Sequence, residues 1–243
     1  MLSKVIVVGA SSGMGAALAA ALATRGASVA AVARRADALE ALAAAHGGRI
    51  RPYPFDTTDA DAVPALFQRL VADLGGLDGI VYAAGVMPAV AEGEYSFDKD
   101  RAMVDVHLLG AMAWLNPAAA HFEAARAGTI IGISSVAGER GRRKNPGYAA
   151  SKAGFTAYLE ALRNRCSRYG VNVVTAKPGF VDTPMTKGIE GLFWLISADD
   201  AAARILRLAD KGTSASGYVP RRWALVMFII RMIPSFVFRR LNF

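Results

Sequence analysis

Tyr148 and Lys152 stand one helical turn apart in Y-A-A-S-K, and Ser135 precedes the tyrosine by thirteen residues. A phenol with a pKa of about 10 exchanges protons poorly at neutral pH unless a nearby cation stabilises the phenolate. A lysine four residues on shares the tyrosine's helix face and can supply that charge. A serine hydroxyl can hold a substrate oxygen. Such a trio suits proton transfer to or from a carbonyl oxygen. Alone, Y-x-x-x-K is equally an exposed pair on a helix surface, so its company decides.

Near the start, Val5-Ile6-Val7-Val8 runs into Gly9-Ala10-Ser11-Ser12-Gly13-Met14-Gly15, followed by a helix-forming stretch from Ala16 to Thr24. A chain that turns sharply from strand to helix while a pyrophosphate approaches its backbone has no room for side chains. The first N–H groups of the helix then face the phosphates. The spacing here is G-x-x-x-G-x-G rather than G-x-G-x-x-G. Ser11 and Ser12 add hydroxyl donors. A nucleotide turn together with a hydroxyl, a phenol and an ammonium points to hydride transfer at a carbonyl carbon.

Cofactor choice is read where the second strand ends. An acidic residue there would bind the ribose 2′-OH of NAD, whereas arginine accommodates a 2′-phosphate. Val29-Ala-Ala-Val-Ala33 runs into Arg34 and Arg35, with no carboxylate before Asp37. The expectation is NADP(H), against the plainer reading of two surface charges after a strand.

The elements that must position these groups alternate strand and helix, which predicts an α/β fold: one Rossmann-like, doubly wound parallel sheet with helices on both faces. Expected strands are Lys4–Val8, Ser28–Ala33, Ile50–Pro54, Gly79–Ala83, Thr129–Ser134, Asn172–Lys177 and a short one at Gly217–Val219. Their nearly continuous apolar runs suit strands covered on both faces. Expected helices include Ala36–Ala45, Asp59–Leu74, a long one from Phe97 to Phe122, and Gly147–Tyr169. Ser197 ahead of Asp199 and Asp200 looks like an N-cap for a helix running to Asp210. The 243 residues fit one domain, with residues 1–220 as dinucleotide-binding and catalytic body and 221–243 as its basic, apolar extension.

G-A-S-S-G-M-G, Asp56 after a strand, Ala83-Ala84-Gly85, I-S-S-V-A-G with Ser135, Y-A-A-S-K and Lys177-Pro178-Gly179 occur in this order. The chain thereby resembles the short-chain dehydrogenase/reductase superfamily from about residue 4 to about residue 220. The resemblance implies that Tyr148 is the general acid/base, that Lys152 lowers its pKa and holds the ribose, and that Ser135 orients the substrate. It implies a cofactor contact for Asp56 at the adenine ring, though the same residue could cap a helix, and for Ala84 and Gly85. Pro178, Gly179, Val181 and Thr183 resemble the segment that seats the nicotinamide.

Two departures stand out. The family's N-N-A-G becomes Tyr82-Ala83-Ala84-Gly85, and the asparagine usual in the fourth helix is His107. That asparagine helps hold a kinked helix and a water leading to the lysine. Histidine also donates and accepts, so His107 either continues this relay, with a new pH dependence, or fills a packing position. His46 and His121 lack partners at ligand spacing, and no metal site is expected.

A hydrophobic fraction of 53% points to buried subunit interfaces, in a homodimer or homotetramer, or to a greasy surface. The lone Cys166 excludes an internal disulfide. The start shows no cleavable apolar segment, so a cytoplasmic location is expected. No motif supports nucleic-acid binding. From Val219 onward there are five arginines (221, 222, 231, 239 and 240) and no acid, and they account for most of the net +8. Trp223-Ala-Leu-Val-Met-Phe-Ile-Ile230 is too short to span a membrane. The tail is therefore either an interfacial helix giving peripheral membrane contact or a cover packed over the cleft or a subunit interface. The basic stretch Arg140-Gly-Arg-Arg-Lys144 either draws anionic substrates or is a solvated loop. Two functions follow: an NADP(H)-dependent enzyme interconverting a ketone and a secondary alcohol, favoured on a hydrophobic or lipid-like substrate, or a nucleotide-binding regulator of the same fold.

Overall fold

The structure, a computed structural model that describes residues 2–241, is built on seven parallel strands in the order β3-β2-β1-β4-β5-β6-β9. These are β1 (Lys4–Val8), β2 (Ser28–Ala33), β3 (Ile50–Pro54), β4 (Gly79–Tyr82), β5 (Gly128–Ile133), β6 (Val171–Pro178) and β9 (Ala215–Val219). A two-residue ladder joins β7 (Val181–Asp182) to β8 (Ile196–Ser197). The expected doubly wound sheet is present.

Alternate residues of each strand serve opposite layers, as the pleat requires. Val5 and Val7 of β1 pack with α1 (Gly13–Thr24), α2 (Ala36–Ala44) and α7 (Ala198–Ala209), whereas Ile6 and Val8 pack with the other helices. Those helices are α3 (Val63–Leu74), α5 (Gly110–Ala125) and α6 (Pro146–Cys166). Both strand faces are thus apolar, which explains the unbroken runs in the sequence. Strand order reverses between β1 and β4, and a crevice opens there beyond the carboxyl ends, where such sheets bind ligands.

The expected helix from Phe97 to Phe122 is divided. It consists of α4 (Phe97–Val104), a wide π-helical turn at Asp105–Leu109, and α5. A π turn leaves a carbonyl without its usual helical donor. Here the Tyr82 hydroxyl donates to Val106 O. A Cβ on Gly110 would lie 2.7 Å from Tyr82 Oη, so glycine admits the phenol. The substitution at Tyr82 and the break in the helix are one arrangement.

Helix α3 begins at Val63 rather than Asp59, with Pro64 in its first turn, because Asp56 ties up the preceding segment by accepting from Thr58 N (3.0 Å) and Thr58 Oγ1 (2.8 Å). Ser197 does cap α7, accepting from Asp200 N at 3.0 Å. The tail forms α8 (Trp223–Met232) and α9 (Ser235–Phe238). Among the described residues no helix is long and apolar enough to cross a membrane.

Candidate active site

The glycine turn is closed by backbone approach. Gly9 has φ +90°, and a Cβ there would lie 2.4 Å from Ala84 N; a Cβ on Gly15 would lie 2.1 Å from Gly9 O. Both positions admit only glycine, and the N-terminus of α1 is left facing a cleft of about 830 Å³. Ser11, Ser12, Gly13, Met14, Arg34, Arg35, Asp56, Ala84, Gly85 and Thr183 all line that cleft with Gly9 and Gly15. Helix α1 has no acidic residue in its first turn, so nothing opposes an anion there.

Arg35 donates to Ser11 Oγ and Ser11 O, both at 3.1 Å, which fixes its guanidinium beside the turn. The hydrogen bonds from Thr58, together with the Arg34 charge, hold the Asp56 carboxyl below its ordinary range despite partial burial. The exposed Arg34 and Arg35 line the cleft and bring positive charge to it. The cradle, the helix terminus and this charge fit a nicotinamide dinucleotide.

The second half of the site lies on β5 and α6. Asn145 caps α6 by accepting from Tyr148 N (3.1 Å), and Pro146 occupies the first turn, which places Tyr148 at the helix start. Ser135 follows β5 and its Oγ accepts from Ala137 N (3.1 Å). Lys152 is 5% exposed and donates from Nζ to Ile133 O at 3.1 Å. Its ammonium lies 5.9 Å from the Tyr148 ring centre. Ser135, Tyr148 and Lys152 therefore converge where β5 meets α6.

Burial dominates the electrostatics of this corner. Burial pushes the Tyr148 phenol up, and the groups that oppose this are the Ser135 hydroxyl and the Arg142 guanidinium. Burial also acts on Lys152, driving its pKa down to about 7. Arg142 is itself pulled down by burial, and its charge acts on the phenol from the basic loop. The sequence placed it in a basic loop, and nothing in its spacing singled it out from Arg140 or Arg143.

His107 sits inside the π turn. Val86 N–H donates to its Nε2 (3.0 Å), so the proton is on Nδ1, which donates to Ser151 Oγ (2.8 Å). Ser151 in turn donates to Tyr148 O (3.0 Å). Burial, with the Lys152 charge, pushes the imidazole pKa down to about 2. The ring is thereby kept neutral, with both nitrogens engaged. It links the Gly85–Val86 segment to α6 and packs edge-on to Tyr148 at 5.3 Å.

The tail packs on the segments that follow β5 and β6. Trp223 is 2% exposed and packs on Val136 with Met227. Its ring contacts Phe180 (5.5 Å) and Phe193 (5.2 Å), and its Nε1 is so close to Gly179 that any Cβ there would collide. The buried Glu139 carboxylate, 7% exposed, binds Lys177 Nζ (2.6 Å) and Arg231 Nη1 (3.4 Å). Arg140 donates to Ile230 O and Ile233 O and stacks on Phe238 at 4.0 Å. Of the tail's aromatic residues, Trp223 is inside, while Phe228 (64%) and Phe236 (61%) face out.

Comparison with known proteins agrees with this arrangement. Residues 3–191 match the family described as short chain dehydrogenase. An uncharacterized oxidoreductase of Myxococcus xanthus is 38% identical over 184 residues, 74% of this chain and 73% of its own. The cis-4-hydroxycyclohexanecarboxylate dehydrogenase of Sinomonas cyclohexanicum is 34% identical over 187 residues, 76% of this chain and 75% of its own. Among solved structures, ElxO with NADP bound superposes with a TM-score of 0.80 at 22% identity, covering 91% of this chain and 99% of that one, a likeness of fold. The family's enzymes use a nicotinamide cofactor on small molecules, and the chain belongs to it: it is an oxidoreductase of the short-chain dehydrogenase family.

Proposed function

We propose that the protein interconverts a ketone and a secondary alcohol with NADP(H), acting on a hydrophobic substrate. The observation that carries this reading is the meeting of Ser135, Tyr148 and Lys152 at the end of β5 beside a cleft flanked by Arg34 and Arg35. One relative is named for a hydroxycyclohexane carboxylate, a secondary alcohol, and one structural neighbour holds NADP. The cofactor supplies the hydride; Gly9, Ser11, Ser12, Gly13, Met14 and Gly15 would hold its pyrophosphate, and Arg34 and Arg35 its 2′-phosphate. Asp56, Ala84 and Gly85 serve the adenosine half, and Pro178, Gly179, Val181 and Thr183 the nicotinamide half.

In reduction, Tyr148 Oη gives its proton to the carbonyl oxygen while the Ser135 hydroxyl orients that oxygen. Burial keeps the phenol protonated until the transfer, and the Arg142 charge stabilises the phenolate left behind. Lys152 serves the ribose hydroxyls, and the neutral His107 holds α6 in register. The phenolate regains its proton from solvent. Residues 1–220 form the catalytic body, with the tail as an extension of it. A cytoplasmic homodimer or homotetramer touching a membrane through the tail fits the same reading.

The test has two parts. NADPH oxidation is followed against ketones graded in chain length, and the binding of NADPH and NADH is compared by calorimetry. A charged phosphate contact contributes about 1.5–3 kcal/mol, so at least a roughly tenfold preference for NADPH is expected, and neutral replacements of Arg34 and Arg35 should remove most of it. Equal affinities would overturn the cofactor assignment. Absence of turnover with every carbonyl would favour a nucleotide-binding regulator.

A further inference from the structure

Helix α8 is apolar on two opposite faces. Trp223, Val226, Met227 and Ile230 turn inward onto Val136 and Phe180. Leu225, Phe228, Ile229 and Met232 recur at i, i+3, i+4 and i+7 and are exposed. Water-facing helices carry polar residues on that outer stripe. Phe236 and Val237 of α9 extend the exposed apolar set. So do Phe193 and Trp194 from the segment before β8, whose rings contact Trp223 at 5.2 and 5.8 Å. The apolar surface therefore runs from the tail to the segment before β8.

The charges around it are of one sign. Arg221, Arg222, Arg231, Arg239 and Arg240 are all exposed, and no carboxylate occurs from Val219 to the end of the chain. Glu139 meets Arg231 from beneath, on the side of the body. A second copy docked by two-fold symmetry would set these arginines against their own equivalents, because such an interface pairs a patch with itself. Acidic headgroups would instead neutralise them while the apolar stripe enters the acyl boundary.

We propose that α8, α9 and the Phe193–Trp194 tip form a docking face for an anionic membrane surface, holding the turn after Ser135 near lipid so that a bilayer-dissolved ketone or alcohol reaches Tyr148. The substrate half of this rests on the ketone–alcohol reading; the docking half does not.

The full-length protein is to be sedimented with phosphatidylcholine vesicles, with and without phosphatidylserine, at low and high salt. Binding is expected only to the anionic vesicles and should weaken with salt. Removing Arg239 and Arg240 together should weaken it about fivefold per charge. The outer-face pair Phe228→Ser and Ile229→Ser should lose at least tenfold while NADPH binding and circular dichroism stay unchanged, which reports an intact fold. No binding to anionic vesicles, or equal binding to neutral ones, overturns the docking proposal. So does a pair variant that turns an oligomer into a monomer in sedimentation velocity with vesicle binding untouched, since the face is then a subunit contact. Turnover of a long-chain ketone in vesicles should fall in that variant while a soluble ketone is reduced as before. Docking without turnover of any ketone defeats the reductase reading alone; turnover without docking defeats the membrane face alone.

Discussion

Replacing Lys152 by methionine is expected to stabilise the ligand-free protein near neutral pH and to destabilise it slightly at high pH. Burial lowers the lysine from 10.5 to about 7 in the fold. The unfolded chain keeps its proton up to 10.5, so folding works against protonation between those values. The cost is complete below about pH 7 and disappears as pH climbs towards 10.5. At 1.36 kcal/mol per decade the gap corresponds to an upper bound of about 4–5 kcal/mol. Relaxation and water penetration around a buried ammonium reduce this to about 2–3 kcal/mol. Methionine keeps an unbranched apolar stem but loses the Nζ donation to Ile133 O, a loss of about 1 kcal/mol. The net gain near pH 7 is therefore about 1–2 kcal/mol, which for a chain of this size raises Tm by roughly 2–8 °C. Near pH 10 the difference should vanish or reverse. Thermal unfolding of both proteins at matched concentration, across pH 6–10, reads the effect directly. A variant less stable than the parent at pH 7, or a difference independent of pH, would refute the reasoning. Activity should be lost throughout.

Tyr148→Phe should reduce turnover by at least about a thousandfold while leaving NADPH affinity within roughly twofold, because it removes the proton donor and keeps the ring; retained activity would point to another donor beside Arg142. His107→Asn should lower kcat without moving either limb of the pH–rate profile, since the imidazole, pushed down to about 2, does not titrate in the working range; a displaced limb would contradict a purely positioning role. Gly15→Ala should weaken NADPH binding at least about tenfold with the fold retained by circular dichroism, as its Cβ would lie 2.1 Å from Gly9 O; unchanged affinity would mean the turn does not cradle a phosphate.

Much of this was legible because it is written locally. The strand runs, the glycine turn and the Ser197 cap depend on neighbours a few residues away, and the structure places them where the spacing predicts. What escaped depends on contacts across the fold. The break at Asp105–Leu109 needs the Tyr82 hydroxyl from another element, so Phe97 to Phe122 reads as one helix until that donor is located. Arg142 looks like its basic neighbours until folding sets it before the phenol. The β7–β8 ladder is two residues long, too short to leave a periodicity. The tail was ambiguous because α8 satisfies both readings at once, one face packed on Val136 and the other bare.

The Glu139 carboxylate gives the end of the chain a hold on its middle. Its two cationic partners come from β6 and from α8, and it lies four residues after Ser135. Trimming the tail to improve handling would remove Arg231, strip the ring of Trp223 from Val136 and release Arg140 from the carbonyls it now holds. An isolated body of residues 1–220 is thus not the same protein made shorter. Its serine loop would have lost its outer scaffold, and purification tags belong at the other terminus, away from the joint.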